Sequence, residues 1–154
     1  MEASPRMKGS PMSAERLSVA GPRAWVVWLR TILAAVAANL VLRIAALAIF
    51  DIPAAFEPLA VTMPTIFLTV VGVAAGLAVA LAVDSMSEQP VPLFRRIVLV
   101  ALLVSLLPDL YMLTESGAAA FPGATVPGVM TLMLQHVAAA AIVYWSVTRP
   151  VGAA

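Results

Sequence analysis

The 154-residue chain has no cysteine, one histidine, and only 11% charged residues. The absence of cysteine excludes disulfides, thiolate metal sites, iron–sulfur clusters and cysteine nucleophiles. One histidine is too few for a two-histidine haem site or the H-E-x-x-H zinc pattern. Soluble domains carry about a quarter charged residues, so this chain lacks the makings of an ordinary water-facing surface. A formal net charge of +1 gives no reason to invoke nucleic acid. No metal and no cofactor is expected.

What remains is apolar. Hydrophobic residues make up 62% of the chain and the mean hydropathy is +1.02, which points to a membrane protein whose first partner is the lipid bilayer. Residues 1–23, "MEASPRMKGSPMSAERLSVAGPR", mix Pro, Gly, Ser and charges without apolar periodicity and read as a disordered tail. Residues 24–149 hold four apolar segments, each to be judged against the roughly 20 helical residues a bilayer requires. They are expected at about 31–50, 64–83, 97–113 and 129–147, with a short tail at 150–154. Pro108 is expected to interrupt the third, connections of 13 to 15 residues with room for short interfacial segments to join them, and Pro122 to Gly128 to form a loop.

Cytoplasmic flanks retain Lys and Arg, so the charges set an orientation. Arg6, Lys8, Arg16, Arg23 and Arg30 precede or open the first segment, Arg95 and Arg96 precede the third, and Arg149 follows the fourth. The other two connections hold acids: Asp51 and Glu57 in one, Glu115 in the other. Both termini are therefore expected in the cytoplasm and the chain in the plasma membrane. Trp25, Trp28, Phe94, Tyr144 and Trp145 fall at the predicted inner interface, where amphipathic rings settle. A rival reading of the first segment as a signal peptide with an A-x-A site ending at Ala48 fits poorly, because Arg43 would interrupt the apolar stretch.

Arg43 is the costliest residue. An arginine at a helix centre costs about 2.5 to 3.5 kcal/mol on the insertion scale, which nearly cancels what the apolar residues of that segment return. Asn39 lies four residues earlier, on the same helical face. Asp109 lies twelve residues after Ile97, as Arg43 lies twelve after Thr31, so both sit about 18 Å deep by helical rise. That equality suggests an Arg43–Asp109 pair, against the plainer readings that Arg43 snorkels to the outer headgroups and that Pro108 ends the helix with Asp109 in the outer interface. Ser105 shares the face of Asp109, while Thr69, Gln135 and His136 reach a similar level. The expectation is a buried polar cluster of Asn39, Arg43, Thr69, Ser105, Asp109, Gln135 and His136 whose members satisfy one another. Gly72, Gly76 and Ala80 form a small-xxx-small ridge suited to close helix packing, and Pro108 is expected to kink its helix.

On "SLLPDL" and the downstream "LMLQHVAAAA" the chain resembles a family of small four-span membrane proteins of unknown function, found largely in actinobacteria. The resemblance covers about Ala24 to Arg149 and implies an integral membrane protein, with no activity attached. The expected fold is an all-α, antiparallel transmembrane four-helix bundle. Lacking G-x-S-x-G, metal and nucleotide motifs, the chain is expected to be a non-enzymatic interaction or accessory protein, with a homo-oligomer or another membrane protein as partner. The alternative is a small proton-coupled transporter or carrier using Asp109 and His136. Such a protein would resemble small multidrug exporters in size and span count, but those carry an acid in the first span, where this chain has Arg43.

Overall fold

The computed structural model describes residues 16–149. Residues 1–15 and 150–154, which hold most of the expected tails, lie outside the described residues. Six helices follow one another and, among the described residues, there is no strand: α1 (Ala24–Ile49), α2 (Glu57–Ala60), α3 (Thr62–Met86), α4 (Pro90–Tyr111), α5 (Glu115–Ala120) and α6 (Val126–Thr148). Four of them, α1, α3, α4 and α6, are long and apolar enough to cross a membrane. Their 22 to 26 residues give about 33 to 39 Å of helix, somewhat more than the roughly 30 Å of a hydrocarbon core.

The expected segments sit inside these helices, but the boundaries move. The third begins at Pro90 rather than Ile97, and the link between α3 and α4 is three residues, Ser87 to Gln89, instead of a long loop. Proline costs nothing in a helix's first turn, where its missing N–H would be unpaired anyway. Arg95 and Arg96 are therefore exposed helical residues. Pro108 does not end α4, which continues to Tyr111 and closes with Met112 N–H donating to the Pro108 and Asp109 carbonyls at 3.2 and 3.1 Å. The expected loop from Pro122 to Gly128 is already α6 from Val126, capped by the Thr125 hydroxyl, which accepts from Gly128 N–H at 3.3 Å.

The long helices run alternately up and down, so one end carries the start of α1, the α3–α4 link and the end of α6. α1 packs on α3 and α6, α4 packs on the same two, and α3 also touches α6. α1 and α4 thus occupy opposite corners, separated by the α3–α6 diagonal. Hydrophobic side chains remain exposed around the outside, among them Leu33, Ile44, Phe67, Leu99, Leu103 and Leu134, which is what a lipid-facing surface needs.

The end bearing the termini holds the larger core, in which Val73, Leu77, Ala80, Val83, Phe94, Val143 and Val147 pack together. Phe94 is buried there. Leu17 and Val19 join the same core. Residues 16–23 are consequently not the structureless tail expected. Leu17 N–H donates to the Asp84 carboxyl at 2.8 Å, Ser18 N–H to the Val147 carbonyl at 2.7 Å, and Trp28 Nε1–H to the Val19 carbonyl at 3.3 Å. The Arg16 guanidinium donates to the Asp84 carbonyl. Two apolar residues and the backbone donors around them were enough to dock a segment whose composition reads as solvent-loving.

The opposite end is closed by the connections. Phe56, Leu59, Met112, Val129 and Leu132 form a second core, which Ile52, Phe121, Ala124 and Met133 flank. Gly117 permits this closure: a Cβ there would stand 1.8 Å from the Tyr111 carbonyl oxygen. Gly123 turns the chain at φ +79°, a left-handed conformation that favours glycine.

Candidate functional site: a polar-walled cavity between α3, α4 and α6

Between the far halves of α3 and α4 the helices do not fill the space. A cavity of about 930 Å³ lies there, walled by α3 from Pro64 to Gly76, α4 from Val98 to Met112 and α6 from Leu132 to Val143, with Asn39 of α1 behind. Residues of the two connections, Ala55, Glu57, Pro58, Ala120, Phe121 and Pro122, also line it. Six of the seven expected polar residues line this cavity; Arg43 does not.

Asn39, Thr69 and Gln135 link three helices. Asn39 Nδ2 donates to the Thr69 hydroxyl at 2.9 Å, and Gln135 Nε2 donates to the Asn39 carbonyl at 3.1 Å. The Thr69 hydroxyl donates in turn to the Thr65 carbonyl, one helical turn back, at 2.6 Å. Ser105 joins no neighbour and donates within its own helix to the Leu102 carbonyl at 2.7 Å. His136 Nδ1 stands 3.2 Å from Asp109 Oδ2, the single contact between side chains of opposite charge type at such a distance among the described residues. That nitrogen also lies 2.9 Å from the Leu132 carbonyl, so one ring N–H cannot serve both acceptors well. The Asp109 contact has the distance of an ion pair without hydrogen-bond alignment, and Asp109 Oδ2 is left without a hydrogen-bond partner.

The Arg43–Asp109 pair does not form. α1 and α4 sit on opposite corners, and an expected equality of depth says nothing about which helices touch. Arg43 instead donates through Nε to the Leu59 carbonyl at 2.7 Å and through Nη2 to the Ala60 carbonyl at 2.8 Å. These are terminal carbonyls of α2, a helix end where a cation is favoured. The arginine is thus a cap for a four-residue helix that apolar patterning could not announce.

The expected glycine ridge also divides. Ala80 is fully buried and a Cβ on Gly76 would stand 3.4 Å from Val143, so these two residues do serve packing. Gly72 makes no close approach: a Cβ there would meet nothing within 4 Å, because Gly72 borders the cavity.

Asp84 and Thr65 are among the buried polar residues that escaped the sequence reading. Asp84 looked like the start of a hydrophilic connection, yet it is buried and anchors Leu17. Thr65 precedes Thr69 by one helical turn, a spacing that marks a shared face, and its buried hydroxyl has no partner. Asn39 Oδ1 is likewise buried and unpartnered. All three unpartnered atoms, Asn39 Oδ1, Thr65 Oγ1 and Asp109 Oδ2, belong to residues that wall the cavity. A self-satisfied cluster, as expected from the sequence, would leave none.

Among the described residues no group of three or more His, Asp or Glu side chains could hold a metal ion. Asp109 and His136 form an acid–base pair at the cavity wall. No curated protein and no solved structure matches the chain significantly. A family model does match, over residues 19–153, and the chain belongs to that family, a family of unknown function (DUF6069) of integral membrane character in this member.

Proposed function

We propose that this chain is a non-enzymatic membrane protein that binds a small ligand inside its bundle, with both termini in the cytoplasm and the plasma membrane as its residence. One observation carries the ligand-binding reading: a cavity of about 930 Å³ with mostly apolar walls into which Asn39, Thr69, Ser105, Asp109, Gln135 and His136 bring a few polar side chains. The volume is that of a drug-sized site, typically about 300 to 1,000 Å³. A few polar groups set in a predominantly apolar wall are the usual make-up of a small-molecule site. The arginine pattern supports the orientation: Arg16, Arg23, Arg30, Arg95, Arg96 and Arg149 are exposed towards one end, while Asp51, Glu57 and Glu115 are exposed at the other.

Native mass spectrometry of the protein released from lipid nanodiscs tests the reading. Wild type is expected to retain a small molecule at one per chain, and Gly72→Leu, which grows a side chain beside the cavity, is expected to lose it. Identical spectra for the two proteins, without adducts, would remove the basis for a binding function.

The contact between His136 and Asp109 favours a second reading, a proton-coupled carrier. Ionisable residues inside a membrane mark transport pathways by default, and these two stand 3.2 Å apart at the cavity wall. Proteoliposome flux that depends on a proton gradient and disappears in Asp109→Asn would favour it over simple binding. Flux indifferent to both would exclude it.

A further inference from the structure

We infer that the outer flank of α4 holds an anionic glycerophospholipid, its phosphate on Arg96 and one acyl chain in the groove that leads away from that residue. The groove is a hollow of about 380 Å³ lined by Arg96, Ile97, Val100, Ala101 and Val104. Arg96, Val100 and Val104 follow one another at four-residue intervals, so they stack on one face of the helix with the arginine nearest its start. Val100 and Val104 are 61% and 58% exposed, which turns this face towards lipid and away from α3 and α6. The small side chain of Ala101 leaves room between its larger neighbours.

The head follows from the charge at the top of the groove. A cation on a membrane helix is costly unless it is paired or reaches the interface. Arg96 is exposed, makes no ion pair among the described residues, and lies on the second turn of α4, from which its long stem carries the guanidinium towards headgroup level. A guanidinium presents a rigid fork of donors that fits two oxygens of one phosphate. Net charge then selects among phosphate-headed lipids. Arg95 is exposed beside Arg96, and Arg30 and Arg149 share that end of the bundle. Of the acids described there, Asp84 is buried on Leu17 N–H, which leaves Glu88 exposed. Such an end favours a head of net negative charge over a choline head. Beyond Arg96 the groove is apolar throughout, so it suits the hydrocarbon of the same molecule, and a free phosphate would leave it unfilled. The site does not depend on what the inner cavity holds, although Ala101 borders both.

The test uses the whole chain in dodecyl maltoside micelles, titrated with dioleoyl phosphatidylglycerol, dioleoyl phosphatidylcholine and dioleoylglycerol and read by native mass spectrometry. Phosphatidylglycerol is expected to bind one per chain, about tenfold tighter than either of the others. Arg96→Gln and Val100→Trp alter exposed positions, and each is expected to weaken that binding by about tenfold. Arg30→Gln, on α1 at the opposite corner of the bundle, is expected to change it by less than about twofold. Equal binding of phosphatidylglycerol and phosphatidylcholine on wild type would overturn the anionic head. Equal losses in Arg30→Gln and Arg96→Gln would reduce the effect to diffuse attraction by a positive end and overturn the site. Binding that Gly72→Leu removes and Val100→Trp spares would put the lipid in the inner cavity and overturn the groove. Displacement of the lipid by inorganic phosphate would show an anion site without a tail, and a two-chain species split by Val100→Trp would give this face to a second copy. Either result would overturn the proposal.

Discussion

Arg43, in the far half of α1, caps Leu59: its Nε donates to the Leu59 carbonyl at 2.7 Å, and its Nη2 takes the neighbouring Ala60 carbonyl at 2.8 Å. One side chain thereby ties a long helix to the α2 segment that closes one end of the bundle. Arg43→Leu is expected to lower stability by on the order of 2 to 3 kcal/mol, since two part-buried carbonyls lose a charged donor. Lysine should restore only part of this, because it lacks the fork that engages both oxygens. Thermal unfolding in nanodiscs reads both effects.

The same geometry makes Arg43 and Asp109 independent. They share no partner and stand on helices at opposite corners. In a double-mutant cycle with Arg43→Leu and Asp109→Leu the two effects should add to within about 0.5 kcal/mol. Rescue of either single variant by the other would contradict the helix arrangement.

The four long helices were legible in the sequence because about twenty apolar residues in succession have few other stable uses. Which helices touch was not legible. All-round hydrophobic helices carry no stripe to point at a neighbour, so Arg43 was assigned to the acid at its own depth and not to α2. The two short helices could be expected only as unplaced segments within the connections, because four and six residues are below the length at which periodicity can show. The polar positions themselves were found from spacing, and six of them do wall one cavity. That they leave acceptors unmet follows only from side-chain geometry.

Asp109 and His136 are neighbours, so their energies should not add. Polar contacts between membrane helices average about 0.6 kcal/mol in such cycles, and the poor alignment of this one places it near or below that mean. The pair Asp109→Asn and His136→Gln is therefore expected to show weak favourable coupling by thermal unfolding. Strong coupling, above about 1.7 kcal/mol, would mean that the two side chains form a better aligned bond than the one described here.

Asp84 holds the segment ahead of α1 against the end of α3. Its carboxyl accepts from Leu17 N–H at 2.8 Å in a buried setting. Asp84→Ala should cost about 1.5 to 3 kcal/mol, the range for hydrogen bonds to charged groups. Limited proteolysis should then cut near Leu17 and Val19, which are shielded in the intact protein. Unchanged stability and unchanged cleavage would show that the docking of this segment does not depend on Asp84.

Gly72 and Gly76 stand one helical turn apart, and identical substitutions at the two should differ in sign. Gly76→Leu forces its side chain against Val143, whose nearest methyl would lie 3.4 Å from the new Cβ alone, so overpacking of about 1 to 3 kcal/mol is expected. Gly72→Leu meets open space and replaces a flexible residue in mid-helix, a change worth about 0.5 to 1 kcal/mol in favour of the helix. It should therefore raise the unfolding temperature slightly while occupying the border of the cavity. The contrast separates a packing glycine from one that keeps a space open. If Gly72→Leu destabilises as much as Gly76→Leu, then α3 and α4 close together at this level and the space between them is not a standing feature of the bundle.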